Sequence, residues 1–315
     1  MTATSDSALV LFPGALGDAC CFLPALAALR RTHAGRMCLV AQPGFLDLVT
    51  LADTTKVSMT RPAVADLFAA GPRLAAETTA LFGGFGHVYS WTGFGNAEFA
   101  RRLAQASGAA VQVHPFRGMR AGEHAADYYA RCVGLPPLPV DPGIIDDARG
   151  WFTDFAARHR LRERGFLLMH PGSGARAKNW EGFGRVAQQW PRRQRAPVVV
   201  TLGPAEAEQP PAAIDAATVV DGLSLTQVAA LLRRCRLYLG NDSGISHLAG
   251  IVGARGVVVF GPTDPTVWAP RSKQLQILHA PDACLRCAPE RFCTHRLAAE
   301  PVLAALEHIA ASVEA

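Results

Sequence analysis

The sequence predicts a doubly wound α/β protein of two domains, and three observations carry that prediction. Short apolar runs alternate with amphipathic segments of about ten to fifteen residues, the pattern of parallel strands joined by crossover helices. The 315 residues exceed one compact core, and roughly 150 residues per domain gives two. The composition also breaks at Leu135–Gly143, LPPLPVDPG, a stretch whose prolines can continue neither a helix nor a central strand.

The elements follow in order. Ala8–Phe12 reads as the first strand, followed by a Gly-rich turn and a helix from about Asp18 to Arg31. Met37–Ala41, His87–Trp91 and Val111–His114 are further strands. Helices are expected near Ala63–Leu81, Asn96–Gln105 and Gly122–Val133. Beyond the proline-rich linker come a helix at Asp146–Arg160 and strands at Gly165–His170, Ala196–Leu202, Thr218–Val220, Leu237–Gly240 and Gly256–Phe260. Pro301–Val313 has helical periodicity. The expected organisation is two Rossmann-like domains, 1–143 and 144–297, facing one cleft. A closing helix within 298–315 is expected to pack back on the first domain.

Composition narrows the function classes. Half the residues are apolar and 18% are charged, which describes a globular chain and excludes extended disorder. The net charge of +5 is carried almost wholly by Arg, with Lys only at positions 56, 178 and 273. These cations are scattered through predicted helices, so no nucleic-acid partner is expected. Anionic substrates, an acidic membrane surface and an ordinary solvated surface all fit the excess, and the last is the default. Met1–Ser7 has no positive region, and Ala19–Leu29 is short and contains Pro24, so it reads as a buried helix and not a signal peptide. No apolar run reaches membrane-spanning length. A cytoplasmic protein is expected. Cys20, Cys21, Cys38, Cys132 and Cys235 lie in apolar or helical stretches and read as core thiols.

Four turns carry chemistry. Pro13-Gly-Ala-Leu-Gly-Asp18 follows the first strand: two glycines allow a tight turn, and Asp18 falls where a helix N-cap is expected. A capping role and a catalytic role are equally open for it. The turn lacks the full G-x-G-x-x-G spacing, and no acid closely follows the next strand, since Asp47 lies in a later helix; both facts argue against a dinucleotide cofactor. The second turn, His170-Pro-Gly-Ser-Gly-Ala-Arg-Ala-Lys-Asn-Trp180, offers Ser173, Gly174 and Lys178 to phosphate oxygens. A flexible turn with a solvated lysine is the alternative. The third, Gly240-Asn-Asp-Ser-Gly-Ile-Ser-His247, places Asp242, Ser243 and Gly244 at a helix start, an anion or ribose site, with His247 one turn on. The fourth, Phe260-Gly-Pro-Thr-Asp-Pro265, presents Thr263, or is simply a proline-braced turn.

Taken in this order, the last three turns resemble glycosyltransferase family 9, the heptosyltransferases of lipopolysaccharide core assembly. The first turn with its sequel Phe22-Leu-Pro-Ala-Leu26 is similar to that family's N-terminal signature. The resemblance runs from about Leu9 to Pro270 and implies a GT-B fold, with the acceptor on the N-terminal domain and the donor nucleotide on the C-terminal one. It further implies inverting, metal-independent transfer from a nucleotide sugar, by family default ADP-heptose, with no other cofactor. Asp18 then matches the family's base, Ser173, Gly174 and Lys178 its diphosphate contacts, and Asp242, Ser243, Gly244, His247 and Thr263 its donor site. Arg117 and Arg120 are candidate clamps for an anionic acceptor, because Arg binds phosphate and carboxylate bidentately. The glycine- and aromatic-rich stretch Phe82–Asn96 matches no family pattern.

The implied partners are the donor and a saccharide or lipid-linked saccharide, with peripheral contact at the inner membrane. Cys284, Cys287, Cys293 and His295 have the residue types of a tetrahedral zinc site but not a standard spacing, and a reduced structural loop is the preferred reading. Two rivals stand beside the transferase: a nucleotide-sugar epimerase, and a non-catalytic nucleotide-sugar binding protein that does not depend on Asp18.

Overall fold

The computed structural model describes residues 4–279 and 293–314, apart from 72, 176, 177, 204, 205, 207, 209–213, 215 and 216. It divides into two compact units, Met1–Ile144 and Ile145–Ala315.

In the first unit, the strands are β1 (Thr4–Leu11), β2 (Met37–Ala41), β3 (Thr54–Ser58), β4 (Phe85–Ser90) and β5 (Val111–Val113). All pair in parallel, in the order β3-β2-β1-β4-β5. The helices are α1 (Leu16–Thr32), α2 (Pro43–Leu48), α3 (Pro62–Asp66), α4 (Ala76–Phe82), α5 (Ala97–Ser107) and α6 (Ala125–Cys132). The Ala8–Leu11 half of central β1 and the whole of β2 are continuous apolar runs because helices cover both faces of a parallel sheet. Edge strand β3, TTKVS, is polar at every position but Val57, and its Lys56 ammonium donates to the Leu46 and Val49 carbonyls. An edge strand of this kind lacks the apolar signature by which strands are found in sequence.

Two sequence expectations change here, and the proline-rich stretch gains its anchors. Asp18 is not the N-cap: α1 begins at Leu16 behind Ala15, so Asp18 is its third residue. The helix expected over 63–81 is two short helices, broken near Gly71, where φ is +121°. Arg102 fills that break, donating to Asp66 Oδ1 at 2.8 Å and to the Asp66 and Gly71 carbonyls at 3.0 and 2.5 Å. Finally, the proline-rich stretch is tied to the first unit, with Leu138 N–H donating to the Pro24 carbonyl and Thr50 N–H to that of Ile144.

The second unit contains α7 (Arg149–His159), β6 (Leu167–His170), α8 (Phe183–Gln194), β7 (Val198–Thr201), β8 (Thr218–Val220), α9 (Leu225–Arg234), β9 (Leu237–Asn241), α10 (Gly244–Ile251), β10 (Gly256–Phe260), α11 (Pro265–Trp268), β11 (Leu275–His279) and α12 (Ala299–Glu314). The strands are parallel in the order β11-β10-β9-β6-β7-β8. The chain builds outward from β6 to β8, then returns to the other side of β6 with β9. This is the doubly wound order of the dinucleotide-binding folds, and its direction reverses between β6 and β9. Edge strand β11 was not anticipated from sequence.

Helix α12 lies against α8 and β10, and Val302, Leu303, Leu306 and Ala310 share one buried cluster with Trp190, Val257 and Val259. Its apolar stripe covers the second unit's own sheet. Among the described residues no helix is long and apolar enough to cross a membrane.

Candidate functional site

In open α/β sheets, ligands bind beyond the carboxyl ends of the strands where the strand order reverses. In the second unit that point is flanked by the loops after β6 and β9. These are the turns that begin at His170 and end at Ser243, with the turn after β10 next in line.

The loops are held together by Asn241. Its side chain is fully buried; Oδ1 accepts from Trp180 N–H at 3.1 Å, and Nδ2 donates to the Pro171 carbonyl at 2.5 Å. Sequence reading quoted this residue without a role, although an amide closing an apolar strand was the available signal. Lys178 Nζ lies 2.6 Å from Asp242 Oδ2, with the carboxylate buried and the lysine side chain 30% exposed. Two residues chosen separately from sequence thus form one ion pair, joining the loops across the switch point. The ammonium has three donors, so one can keep Asp242 while others meet a ligand.

Ser243 is the N-cap of α10, its hydroxyl accepting from Ser246 N–H at 3.3 Å. The following N–H groups of Gly244 and Ile245 have no intrahelical acceptors and sit at the positive end of the helix dipole. His247 is buried in the same first turn, and its N–H donates to the Ser243 carbonyl at 3.3 Å. Ser173 Oγ lies 2.6 Å from the Ala175 carbonyl and 2.7 Å from Asn179 Oδ1, so its hydroxyl shapes the loop, while Gly174 is exposed beside it. Half-buried Thr263 precedes Asp264, which caps α11 by accepting from Thr266 N–H at 2.8 Å. For Asp264 the turn-bracing alternative describes what is seen.

Glu206 was missed. A Cβ on Gly172 would fall 2.5 Å from Glu206 Cδ, and one on Gly203 2.7 Å from its Oε2. Both glycines therefore make room for this carboxylate. It follows β7, the second strand of the fold, where dinucleotide-binding sheets carry the acid that accepts from ribose hydroxyls.

His170, at the end of β6, is buried, and burial pushes its pKa down to about 4. Nδ1 faces the Thr201 carbonyl at 3.0 Å and therefore donates, making the ring a neutral Nδ1–H tautomer. The folded pKa is below the unfolded value of about 6.5, so the stability this group contributes is complete above pH ~6.5 and lost as pH falls toward 4. The loss should approach about 3 kcal/mol. Unfolding of the native chain and of His170→Gln between pH 7 and pH 4 checks this: the variant should show the shallower pH dependence, and parallel curves would assign the acid lability elsewhere.

In the first unit the switch point lies between β1 and β4. Gly14 allows the chain to fold tightly there, since a Cβ on it would sit 2.5 Å from the Phe12 ring and 2.7 Å from Asp18 Cβ. Asp18 is 8% exposed, and its Oδ1 lies 3.5 Å from Nη2 of exposed Arg117. The structure therefore joins the expected base to one expected acceptor residue. Arg120 is exposed too, but its N–H donates to Glu123 Oε2 at 2.8 Å. The turn after β4, unmapped in sequence, stands beside the Asp18 turn because β4 pairs with β1, and it presents Phe94, 60% exposed.

The cysteines expected in the core are buried except Cys132, which is half-buried, and none of the five is in a disulfide. Burial raises the Cys38 and Cys235 thiols to about 12, so they are inert. The cluster Cys284, Cys287, Cys293 and His295 lies outside the residues whose side chains are described. Among the described residues, no group of three or more His, Cys, Asp and Glu is arranged to hold a metal.

A family model described as glycosyltransferase family 9 (heptosyltransferase) matches residues 138–295, half of the chain and all three turns of the second unit. The chain belongs to glycosyltransferase family 9. No curated protein matches it in sequence. Solved structures do. A glycosyltransferase family 9 protein from Veillonella parvula DSM 2008 is 20% identical, with 99% of both chains covered and a TM-score of 0.77. The E. coli heptosyltransferase WaaC with ADP is 17% identical over 96% of this chain and 99% of that one, TM-score 0.67. E. coli ADP-heptose LPS heptosyltransferase II is 17% identical over 98% and 100%, TM-score 0.68. The two-sheet α/β architecture is that of these GT-B heptosyltransferases.

Proposed function

We propose that this family 9 member is an inverting, metal-independent glycosyltransferase that moves a sugar from a nucleoside diphosphate, ADP-heptose as the preferred donor, to a saccharide of lipopolysaccharide or a related glycan. In this reading the first unit binds the acceptor and the second the donor. The observation that carries it is the Lys178–Asp242 pair at the switch point, beside the unpaired N–H groups that open α10.

The chemistry is a single displacement. Asp18 takes the proton of an acceptor hydroxyl as its oxygen attacks the anomeric carbon, and the bond to the diphosphate oxygen breaks with its electron pair leaving on phosphate. Lys178, the Ser173–Gly174 loop and the start of α10 stabilise that developing charge, the task a divalent cation performs in other transferases. Ser243, Gly244, His247 and Thr263 complete the donor site, and Glu206 accepts from the ribose hydroxyls. Arg117 and Arg120 hold an anionic acceptor. The ADP named with WaaC, and the ADP-heptose in the name of heptosyltransferase II, support the choice of donor. A lipid-linked acceptor brings the protein to the cytoplasmic face of the inner membrane.

The test is a panel of ADP-, UDP- and GDP-linked sugars, each incubated with and without saccharide acceptor. The transferase consumes donor and releases nucleoside diphosphate when acceptor is added, with ADP-heptose preferred. Conversion of a donor to a new nucleotide sugar without acceptor would make the chain an epimerase, and binding without turnover would make it a binding protein.

A further inference from the structure

Three buried polar atoms of the first unit have no hydrogen-bond partner: Trp91 Nε1, His114 Nε2 and the Tyr129 hydroxyl. They are neighbours. The Trp91 ring centroid is 5.2 Å from His114 and 6.2 Å from Tyr129. Phe12 and Phe22, stacked at 4.2 Å, each meet both the Trp91 and the Tyr129 rings edge-on. Trp91 follows β4, His114 follows β5, and Tyr129 lies on α6, which packs on α1. Asp18 borders this aromatic box, since the Phe12 ring and Asp18 Cβ converge at Gly14. Burial and the Asp18 carboxylate raise the Tyr129 pKa, so the hydroxyl remains a protonated donor within the field of that carboxylate. Burial lowers the His114 pKa, which keeps its ring neutral. Native folds seldom leave buried polar atoms unpaired, and a group of them beside a reactive carboxylate calls for a functional explanation.

We propose that Tyr129 is a positioning residue for Asp18, its hydroxyl and the Trp91 indole N–H holding a bridging water that donates to the Asp18 carboxylate. The inference rests on Asp18 being the base. The box supplies the four partners such a water takes: two donors, Tyr129 and Trp91, the carboxylate as acceptor, and His114 Nε2, which accepts when the ring proton is on Nδ1. The water fixes the carboxylate rotamer, and Arg117, 61% exposed, contacts the same carboxylate at 3.5 Å.

The test is Tyr129→Phe, which keeps the ring packing and removes only the hydroxyl, with Trp91→Phe as a second probe. Both are measured with the nucleotide sugar and acceptor on which the native chain turns over. With the water no longer held, its hydrogen bond to the charged carboxylate is lost and kcat should fall about 10- to 100-fold. KM for donor and acceptor should stay within about twofold, and the melting temperature should not drop, a split that damaged packing would not produce. If Asp18→Asn is inactive while both variants keep kcat within about twofold of the native chain, the base assignment stands and the positioning role is overturned. If Asp18→Asn retains full turnover, the base assignment itself fails, and the positioning role with it.

Discussion

Replacing Asp18 with Asn should lower kcat by about 10²- to 10⁴-fold, the usual contribution of a positioned general base. The substitution is isosteric. It keeps the side chain in the space that Gly14 leaves open and removes only the charge and the proton-accepting capacity. As the third residue of α1, Asp18 also interacts favourably with the helix dipole, but that term is about 0.3–1 kcal/mol and should barely move the melting temperature. The 3.5 Å contact to Arg117 is largely solvent-exposed on the arginine side, so its loss costs little stability. A large fall in turnover with an intact fold therefore separates chemistry from structure. Initial rates at saturating donor and acceptor, with a thermal melt as control, make the measurement; unchanged turnover would remove Asp18 from the reaction.

Lys178→Ala should have the second-largest effect, lowering kcat/KM for the donor by about 10²- to 10³-fold, as loss of one group that stabilises transition-state charge does. It should also destabilise the second unit, because the buried Asp242 carboxylate is left without its cation. The two consequences are separable. Adding Asp242→Asn to Lys178→Ala removes the stranded charge and should restore part of the melting temperature without restoring kcat/KM. Recovery of activity in the double variant would mean that Lys178 acts only by neutralising Asp242.

The central strands of both sheets were readable because parallel strands covered on both faces are continuous apolar runs, as in Ala8–Phe12 and Gly256–Phe260. Of the four edge strands, Val111–Val113 and Thr218–Val220 were readable, whereas Thr54–Ser58 and Leu275–His279 were not, since polar residues interrupt their apolar pattern. The site was legible where chemistry is local: glycines and hydroxyls adjoining a helix start announce an anion site from a single loop. What depended on tertiary contact was not legible. Asn241 earns its role only because Pro171 and Trp180 come to it, and Glu206 only because Gly172 and Gly203 leave it space. The same holds for Tyr129, whose unpaired hydroxyl belongs to a box assembled from four separate segments.

With a donor site in the second unit and a base in the first, calorimetric titration of ADP into three full-length proteins tests the proposed division of labour most directly. The native chain and Asp18→Asn should bind ADP with equal affinity, while Lys178→Ala should bind it about 10- to 100-fold more weakly, the worth of a charge-assisted hydrogen bond to phosphate. Binding of ADP by Lys178→Ala as tightly as by the native chain, or its loss in Asp18→Asn, would contradict the account.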